Sequence, residues 1–212
     1  MDRLVQVDTF NRIAQVSRET ISSLIKYEDL LIHANKSLNL IGNSTIDQIW
    51  TRHFLDSYQV IDFIDKNDIS LADIGSGAGF PGIVIALAAK DKKIPLKIKL
   101  IEKSPKKTKF LETLINELNL KVQIVNENVL VDEIKIEENV IVARAFKPIE
   151  KIFQLIHKKT HNWKKILIFL GKTGQGELLQ ASKVWDIKYK QRVSVTNSDS
   201  LIIEVNKLKK KN

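Results

Sequence analysis

The chain has no cysteine among its 212 residues, so it forms no disulfide and offers no thiolate as nucleophile or metal ligand. It also lacks any apolar run long enough to span a bilayer, and Met1-Asp2-Arg3 does not open a secretion signal. A cytoplasmic location without a membrane partner is therefore expected. Internal repeats and a long linker are missing too. A chain of this length forms one domain with room for an appendage and buries a substantial core. What it has in excess is positive charge: 34 Lys and Arg against 25 Asp and Glu, a formal +9. Such an excess points to a polyanionic partner, with nucleic acid ahead of a membrane surface. The plain alternative is a lysine-rich composition with no functional meaning.

Phe10, Ile13, Val16, Ile21, Leu24, Ile25, Leu31 and Ile32 recur at helical spacing, which predicts one helix over about residues 8–35. Thr45-Ile-Asp-Gln48 has the form of a capping box and opens a second helical stretch through Phe63. From Leu71 onward strands and helices alternate, the rhythm of a parallel sheet covered on both faces. The end of the chain changes rhythm: Lys188 to Val195 and Leu201 to Leu208 read as two strands around a turn at Asn197-Ser-Asp199. The expected fold is α/β: a Rossmann-like, mostly parallel sheet with an antiparallel last strand and an N-terminal helical extension. Residues 1–66 form the extension, 67–208 the core and 209–212 a disordered basic tail, in a single compact unit.

The densest signal is Leu71-Ala-Asp-Ile-Gly-Ser-Gly-Ala-Gly-Phe-Pro-Gly82, followed by Lys97-Ile-Lys-Leu-Ile-Glu102. An apolar strand ends in an acid, then a glycine-rich turn, then a helix; a second strand ends in another acid. Bare backbone at the turn and a carboxylate for ribose hydroxyls make a nucleoside site. Two cofactors compete. From Gly77 the run matches the dinucleotide fingerprint. From Asp73 it reads D-x-G-x-G-x-G, which resembles the first motif of S-adenosylmethionine-dependent methyltransferases. The second reading is favoured, because Asp73 would attract the cationic amino-acid end of S-adenosylmethionine and repel a pyrophosphate. The expected cofactor residues from this run are Asp73, Gly75, Gly77, Gly79, Phe80 and Glu102.

Lys103, Lys106, Lys107 and Lys109 crowd the start of the helix that opens at Ser104-Pro105. Cations there oppose the helix dipole by about 0.3–1 kcal/mol each. RNA phosphate beside the cofactor ribose would account for them; lysines fanning into water would too. The fourth strand, Val140-Ile-Val-Ala143, delivers Arg144-Ala-Phe-Lys147 at its carboxyl end, where substrates meet such sheets. Arg144 suits a phosphate, a carboxylate or a guanine edge, or a plain salt bridge. The fifth strand ends in Gly171-Lys172-Thr-Gly174, which lacks the glycine spacing of a phosphate-binding loop. Absences narrow the methyl acceptor. Carbon 5 of a pyrimidine needs a thiolate, and an exocyclic amine usually uses a D/N-P-P-Y turn, which Arg144-Ala-Phe-Lys147 does not match. A ring nitrogen such as guanine N7 carries its own lone pair and needs alignment without a general base. No Arg or Lys should then donate to N7 itself.

Taken in order, Asn39-Leu40, Arg52-His-Phe-Leu-Asp-Ser57, Asp73 to Gly82, Lys106-Lys107 with Phe110-Leu111, and Arg144-Ala-Phe146 resemble the RsmG (GidB) family. The resemblance covers about residues 35–175. It implies a bacterial methyltransferase specific for guanine N7 in 16S ribosomal RNA, using S-adenosyl-L-methionine, with 16S RNA or the small ribosomal subunit particle as partner. Nothing in the sequence suggests a subunit interface, so a monomer is expected. The cofactor contacts it implies fall on Gly75, Phe80, the pair Val129-Leu130 and Arg144. The family commonly has Ala-Glu where this chain has Val129-Leu130, and Ser or Thr where it has Ala143.

Arg52, His53 and Asp56 carry a second set of expectations. His53 and Asp56 share a helical face. They either line the substrate side, with Asp56 accepting from guanine N1–H and leaving N7 free, or bond each other and pin the extension. Arg144 and Asp56 are expected to position the base, and Arg52, His53, Lys103, Lys106, Lys107, Lys147 and Lys172 to meet RNA. Replacing Lys106 and Lys107 together by Glu is expected to flatten the salt dependence of RNA affinity. The log–log slope should fall by roughly 0.7–0.9 for each phosphate these lysines neutralise. Filter binding from about 50 to 200 mM salt measures it, and an unchanged slope would remove these lysines from the interface.

Overall fold

The computed structural model describes residues 2–146 and 148–211. Helix α1 covers Arg3–Ala14 and α2 Arg18–Leu38. The single helix expected over 8–35 is thus two. Gln15 turns left-handed (φ 49°), and Ser17 restarts the chain by accepting from the Thr20 amide at 3.2 Å. Asp91 fixes that restart from across the fold, accepting from the Ser17 amide at 3.1 Å and the Thr20 hydroxyl at 2.9 Å.

The second helical stretch forms, but irregularly. Asn43–Gln48 is 3-10, Trp50–Leu55 is π-helical, α3 spans only Asp56–Tyr58, and Gln59–Phe63 is 3-10 again. The capping box is not made: the Thr45 hydroxyl donates to the Gly42 carbonyl at 2.7 Å and meets the His53 ring. Wide π turns in place of a regular helix set His53 and Asp56 where they act below.

The sheet then alternates with helices: β1 Ser70–Ile74, α4 Gly82–Asp91, β2 Lys97–Ile101, α5 Pro105–Glu117, β3 Val122–Val125, β4 Val140–Ala143, α6 Ile149–Lys159, β5 Lys165–Leu170, α7 Gly174–Val184, β6 Trp185–Ser194 and β7 Asn197–Lys210. Its order is β3-β2-β1-β4-β5-β7-β6, with β7 antiparallel to β5 and β6 antiparallel to β7. Alternate strand residues face opposite ways. Leu71, Leu100, Val142 and Ile202 pack with α2, α4 and α5, while Ile74, Ile141, Ile168 and Ile203 pack with α6 and α7. Chain order reverses between β1 and β4, so a crevice opens at their carboxyl ends.

The final hairpin departs from the sequence expectation twice. Lys209 and Lys210 belong to β7, not to a disordered tail. The turn is Val195–Thr196, two residues before the expected one, and neither residue takes a positive φ. Two-residue hairpin turns ordinarily rely on glycine or asparagine at positive φ. Here tertiary contacts substitute. Asp56 Oδ1 accepts from the Ser194 hydroxyl at 2.9 Å and the Thr196 hydroxyl at 3.0 Å, and Gln59 Oε1 accepts from the Val195 amide at 3.1 Å. Gln59 is buried, and its amide also donates to Asp56 Oδ1 at 2.9 Å. Gln59→Ala is therefore expected to cost about 1–3 kcal/mol and to speed amide exchange at Val195. Urea unfolding and hydrogen exchange measure both; unchanged protection at Val195 would mean that the strands alone set the turn.

Candidate active site

The crevice beyond β1 and β4 holds a cavity of about 450 Å³, within the roughly 300–1,000 Å³ of small-molecule sites. Gly75, Gly77, Phe80, Glu102, Val129 and Arg144 are among its walls. Glu102 directly follows β2 and turns its carboxylate back over the glycine turn. Its Oε2 accepts from the Gly77 amide at 2.9 Å and its Oε1 from the Ser104 amide at 2.8 Å. Each carboxylate oxygen has a lone pair left over, the acceptor pair that a ribose diol requires. Gly75 sits at φ +77°, and a Cβ there would lie 2.2 Å from the Phe146 ring, so only glycine allows this approach. The donor set fits the nucleoside part of S-adenosylmethionine, with Val129 and Leu130 offering apolar surface beside it.

Two expected cofactor residues stand off the wall. Gly79 is buried against Tyr27: a Cβ would come within 2.7 Å of the phenol oxygen, which itself donates to the Ala78 carbonyl at 2.7 Å. Asp73 is fully buried beneath the turn, and its Oδ2 accepts from the Gly82 amide at 3.0 Å. The contact with the cofactor's ammonium expected from sequence is not available in this geometry. The bare Gly82 lets α4 begin so close to β1 that its first amide claims the carboxylate; a Cβ there would lie 2.7 Å from Oδ2. Asp73 Oδ1 has no partner among the described residues. Burial pushes the Asp73 pKa up to about 7, against the opposing pull of the Gly82 amide.

Arg144 closes the other end. Its Nε donates to Asp56 Oδ2 at 3.0 Å, one terminal nitrogen donates to the Arg52 carbonyl at 2.5 Å, and the other meets His53 Nδ1 at 3.3 Å. The guanidinium lies 5.7 Å from the Phe80 ring and 5.7 Å from the Phe169 ring. Burial lowers its pKa, and the charge of Asp56 pulls it back up. His53 stacks on Phe80 at 4.9 Å, and burial, with Arg144 and Arg52 nearby, lowers its pKa to about 3. A neutral ring accepts at Nδ1 and donates at Nε2 to the Thr45 hydroxyl, 2.9 Å away. His53 was expected to meet RNA; both ring nitrogens are committed inside the protein instead. Nor do His53 and Asp56 pin the extension by bonding each other: both converge on Arg144.

Among the remaining expected residues, Lys103 and Lys107 line the cavity, and Arg52 and Asp56 line a neighbouring one. Lys106 and Lys172 are exposed beyond these walls, and Lys147 lies outside the described residues. Sequence reasoning missed Tyr27, Gln59, Ser194 and Thr196. No local pattern marks them, because their roles arise from contacts across 51 to 140 positions of chain.

A glycine turn under an acid that follows the second strand, on a parallel sheet closed by an antiparallel hairpin, belongs to the Rossmann-like fold of S-adenosylmethionine-dependent methyltransferases. Solved structures of that class share the fold. M. capricolum TrmK in complex with S-adenosyl-homocysteine aligns at TM-score 0.53 and 14% identity over 71% of this chain and 66% of that one. A TehB-like SAM-dependent methyltransferase from Corynebacterium glutamicum aligns at TM-score 0.51 and 16% identity over 72% and 87%. Closer kinship is seen in sequence. The chain belongs to the GidB family, described as rRNA small subunit methyltransferase G, which matches residues 20–203. It is 36% identical over 199 residues to ribosomal RNA small subunit methyltransferase G of Pelagibacter ubique, covering 93% of each chain. The same-named protein of Rickettsia akari is 37% identical over 92% of this chain and 98% of its own.

The Asp73 shift carries a pH signature. Between about pH 4 and pH 7 the folded protein holds a proton at Asp73 that the unfolded chain, with its ordinary pKa of 3.8, has released. This group therefore makes stability fall as pH rises through that window. Asp73→Asn is expected to remove the fall, so the mutant gains on the wild type at about pH 7.5 relative to about pH 4.5. Urea unfolding at the two pH values measures it, and parallel profiles would refute it.

Proposed function

We propose that the protein transfers the methyl group of S-adenosylmethionine to N7 of a guanine in 16S ribosomal RNA, as free RNA or within a small-subunit particle. The bound cofactor supplies an electrophilic methyl on a sulfonium. Glu102 would hold the ribose through its spare lone pairs, the Gly75–Gly77 turn would give backbone access, and Val129 and Leu130 would flank the adenine. Arg144 and Phe80 bound the reacting end. N7 brings its own electron pair; as the N–CH3 bond forms, the C–S pair returns to sulfur as a neutral thioether, and no proton is released.

One observation carries the N7 assignment. At the Arg144 end both candidate bases, His53 and Asp56, are already engaged with Arg144, and three of its N–H directions are spent on them and on Arg52. An acceptor that must lose a proton finds no free base there, whereas N7 brings its own lone pair and needs none. Asp56 thereby positions Arg144 and does not read the base. Arg52, Lys103, Lys106, Lys107, Lys147 and Lys172 supply phosphate contacts, consistent with the formal charge of +9. Residues 1–66 act as a helical extension of a 67–208 core, the protein works as a monomer, and its place is the cytoplasm, where its substrate is made.

Small-subunit RNA from cells without this protein is expected to lack one 7-methylguanosine, and purified protein with tritiated S-adenosylmethionine is expected to restore it. Mass spectrometry of nuclease digests reads both. An intact 7-methylguanosine profile, or label at an amine or carbon, would overturn the proposal.

A further inference from the structure

Across Arg144 from the cofactor cavity lies a second one of about 320 Å³, and the two share Arg144 and Ala145 as a common wall. We propose that this second cavity receives the extruded target base, with Phe169 as its stacking face and Asn197 and Ser200 as the residues that read the guanine edge. The inference rests on the proposed function and says where in the molecule the substrate base goes.

The chemistry of the walls suits a purine. Phe169 lies near the end of β5 and presents a half-buried ring beside the Arg144 guanidinium. An aromatic face with a planar cation is the surface on which unstacked bases settle. Along the other side runs the start of β7. The Asn197 side-chain oxygen is taken by the Asp199 amide at 2.9 Å. Its NH2 group is left as the donor, matching guanine O6. Ser200 is half-buried, and its hydroxyl both donates and accepts, matching the N1–H and amino edge. The nearer polar groups are already used. Asp56 Oδ1 accepts from Gln59, Ser194 and Thr196 together, so it does not compete for the base, and the protons of those two hydroxyls are spent. With the Watson–Crick edge turned to β7, the N7 side of the ring faces Ala145, where the two cavities meet and no side-chain donor competes for the lone pair.

The site is also preformed. The Val195–Thr196 turn is held by Asp56 and Gln59 in the protein itself, so RNA does not have to order this wall on binding. The same Asp56 fixes Arg144, which places the base cavity and the cofactor cavity in register through one carboxylate.

The test uses a 16S RNA fragment that carries the target guanosine, and the same fragment with an abasic residue at that position. In the presence of S-adenosylhomocysteine, the wild type is expected to bind the guanosine fragment about tenfold more tightly. Ser200→Phe fills the cavity without touching the cofactor wall. It is expected to bind both fragments equally, to slow methyl transfer by more than about 100-fold, and to keep its affinity for S-adenosylhomocysteine. Asn197→Ala, at an exposed position, is expected to shrink the guanosine preference with folding intact, which keeps the question decidable should Ser200→Phe misfold. An active wild type whose Ser200→Phe and Asn197→Ala variants retain both preference and rate overturns this inference alone. A wild type that transfers no methyl group to ribosomal RNA overturns the proposed function and this inference with it.

Discussion

The Asp56–Arg144 pair is the constraint on which the rest of the site depends. Both side chains are largely withdrawn from water, at 14% and 15% exposure, and they join residues 88 positions apart. A buried ion pair is weak evidence of stability, but an unpaired partner left in its place is costly, by about 3–5 kcal/mol. The pair is completed by hydrogen bonds on every side: His53 and the Arg52 carbonyl on the guanidinium, and Gln59, Ser194 and Thr196 on the carboxylate. One carboxylate thus joins the irregular N-terminal helical turns, the end of β4 and the last hairpin. A hairpin turn with no turn-forming residue is held in place by it.

The glycine turn shows a division of labour between two acids that look alike in sequence. Asp73 lies near the end of β1 and Glu102 directly follows β2, both beside the same turn. Glu102 lies on the cavity side and keeps lone pairs for a ligand; Asp73 lies below and spends its carboxylate on the first amide of α4. The difference traces to Gly82, whose missing side chain admits the helix start to within reach of Asp73. Burial then raises the Asp73 pKa to about 7, a cost borne by the fold so that the turn is held from beneath. Any influence of Asp73 on a cationic cofactor acts through space from under the turn.

Much of the architecture was legible from local pattern. The alternation of strands and helices after residue 70, the switch to a hairpin and the tight turn after β1 follow from apolar periodicity and from Gly75, Gly77 and Gly82 at fixed spacing. The errors share a cause. The break at Gln15 depends on Asp91 capturing the start of α2, the turn at Val195–Thr196 on Asp56 and Gln59, and the β-structure of Lys209 and Lys210 on pairing with β6. Each partner is distant in sequence, so no window of neighbours contains the information.

By itself the sequence determined the class of chemistry: a nucleoside turn, an acid after the next strand, no thiol, and a cationic surface. These are properties of residue type and short spacing, which the chain carries whatever it packs against. Tertiary structure alone decided which way each charged side chain faced. It turned His53 inward as a neutral ring, tied Asp56 to Arg144 and the last hairpin, set Asp73 under the turn, and opened a second cavity behind Arg144. The physical reason is that a polar group's role is fixed by which partners satisfy it once water is excluded, and those partners are assembled only when the chain has folded.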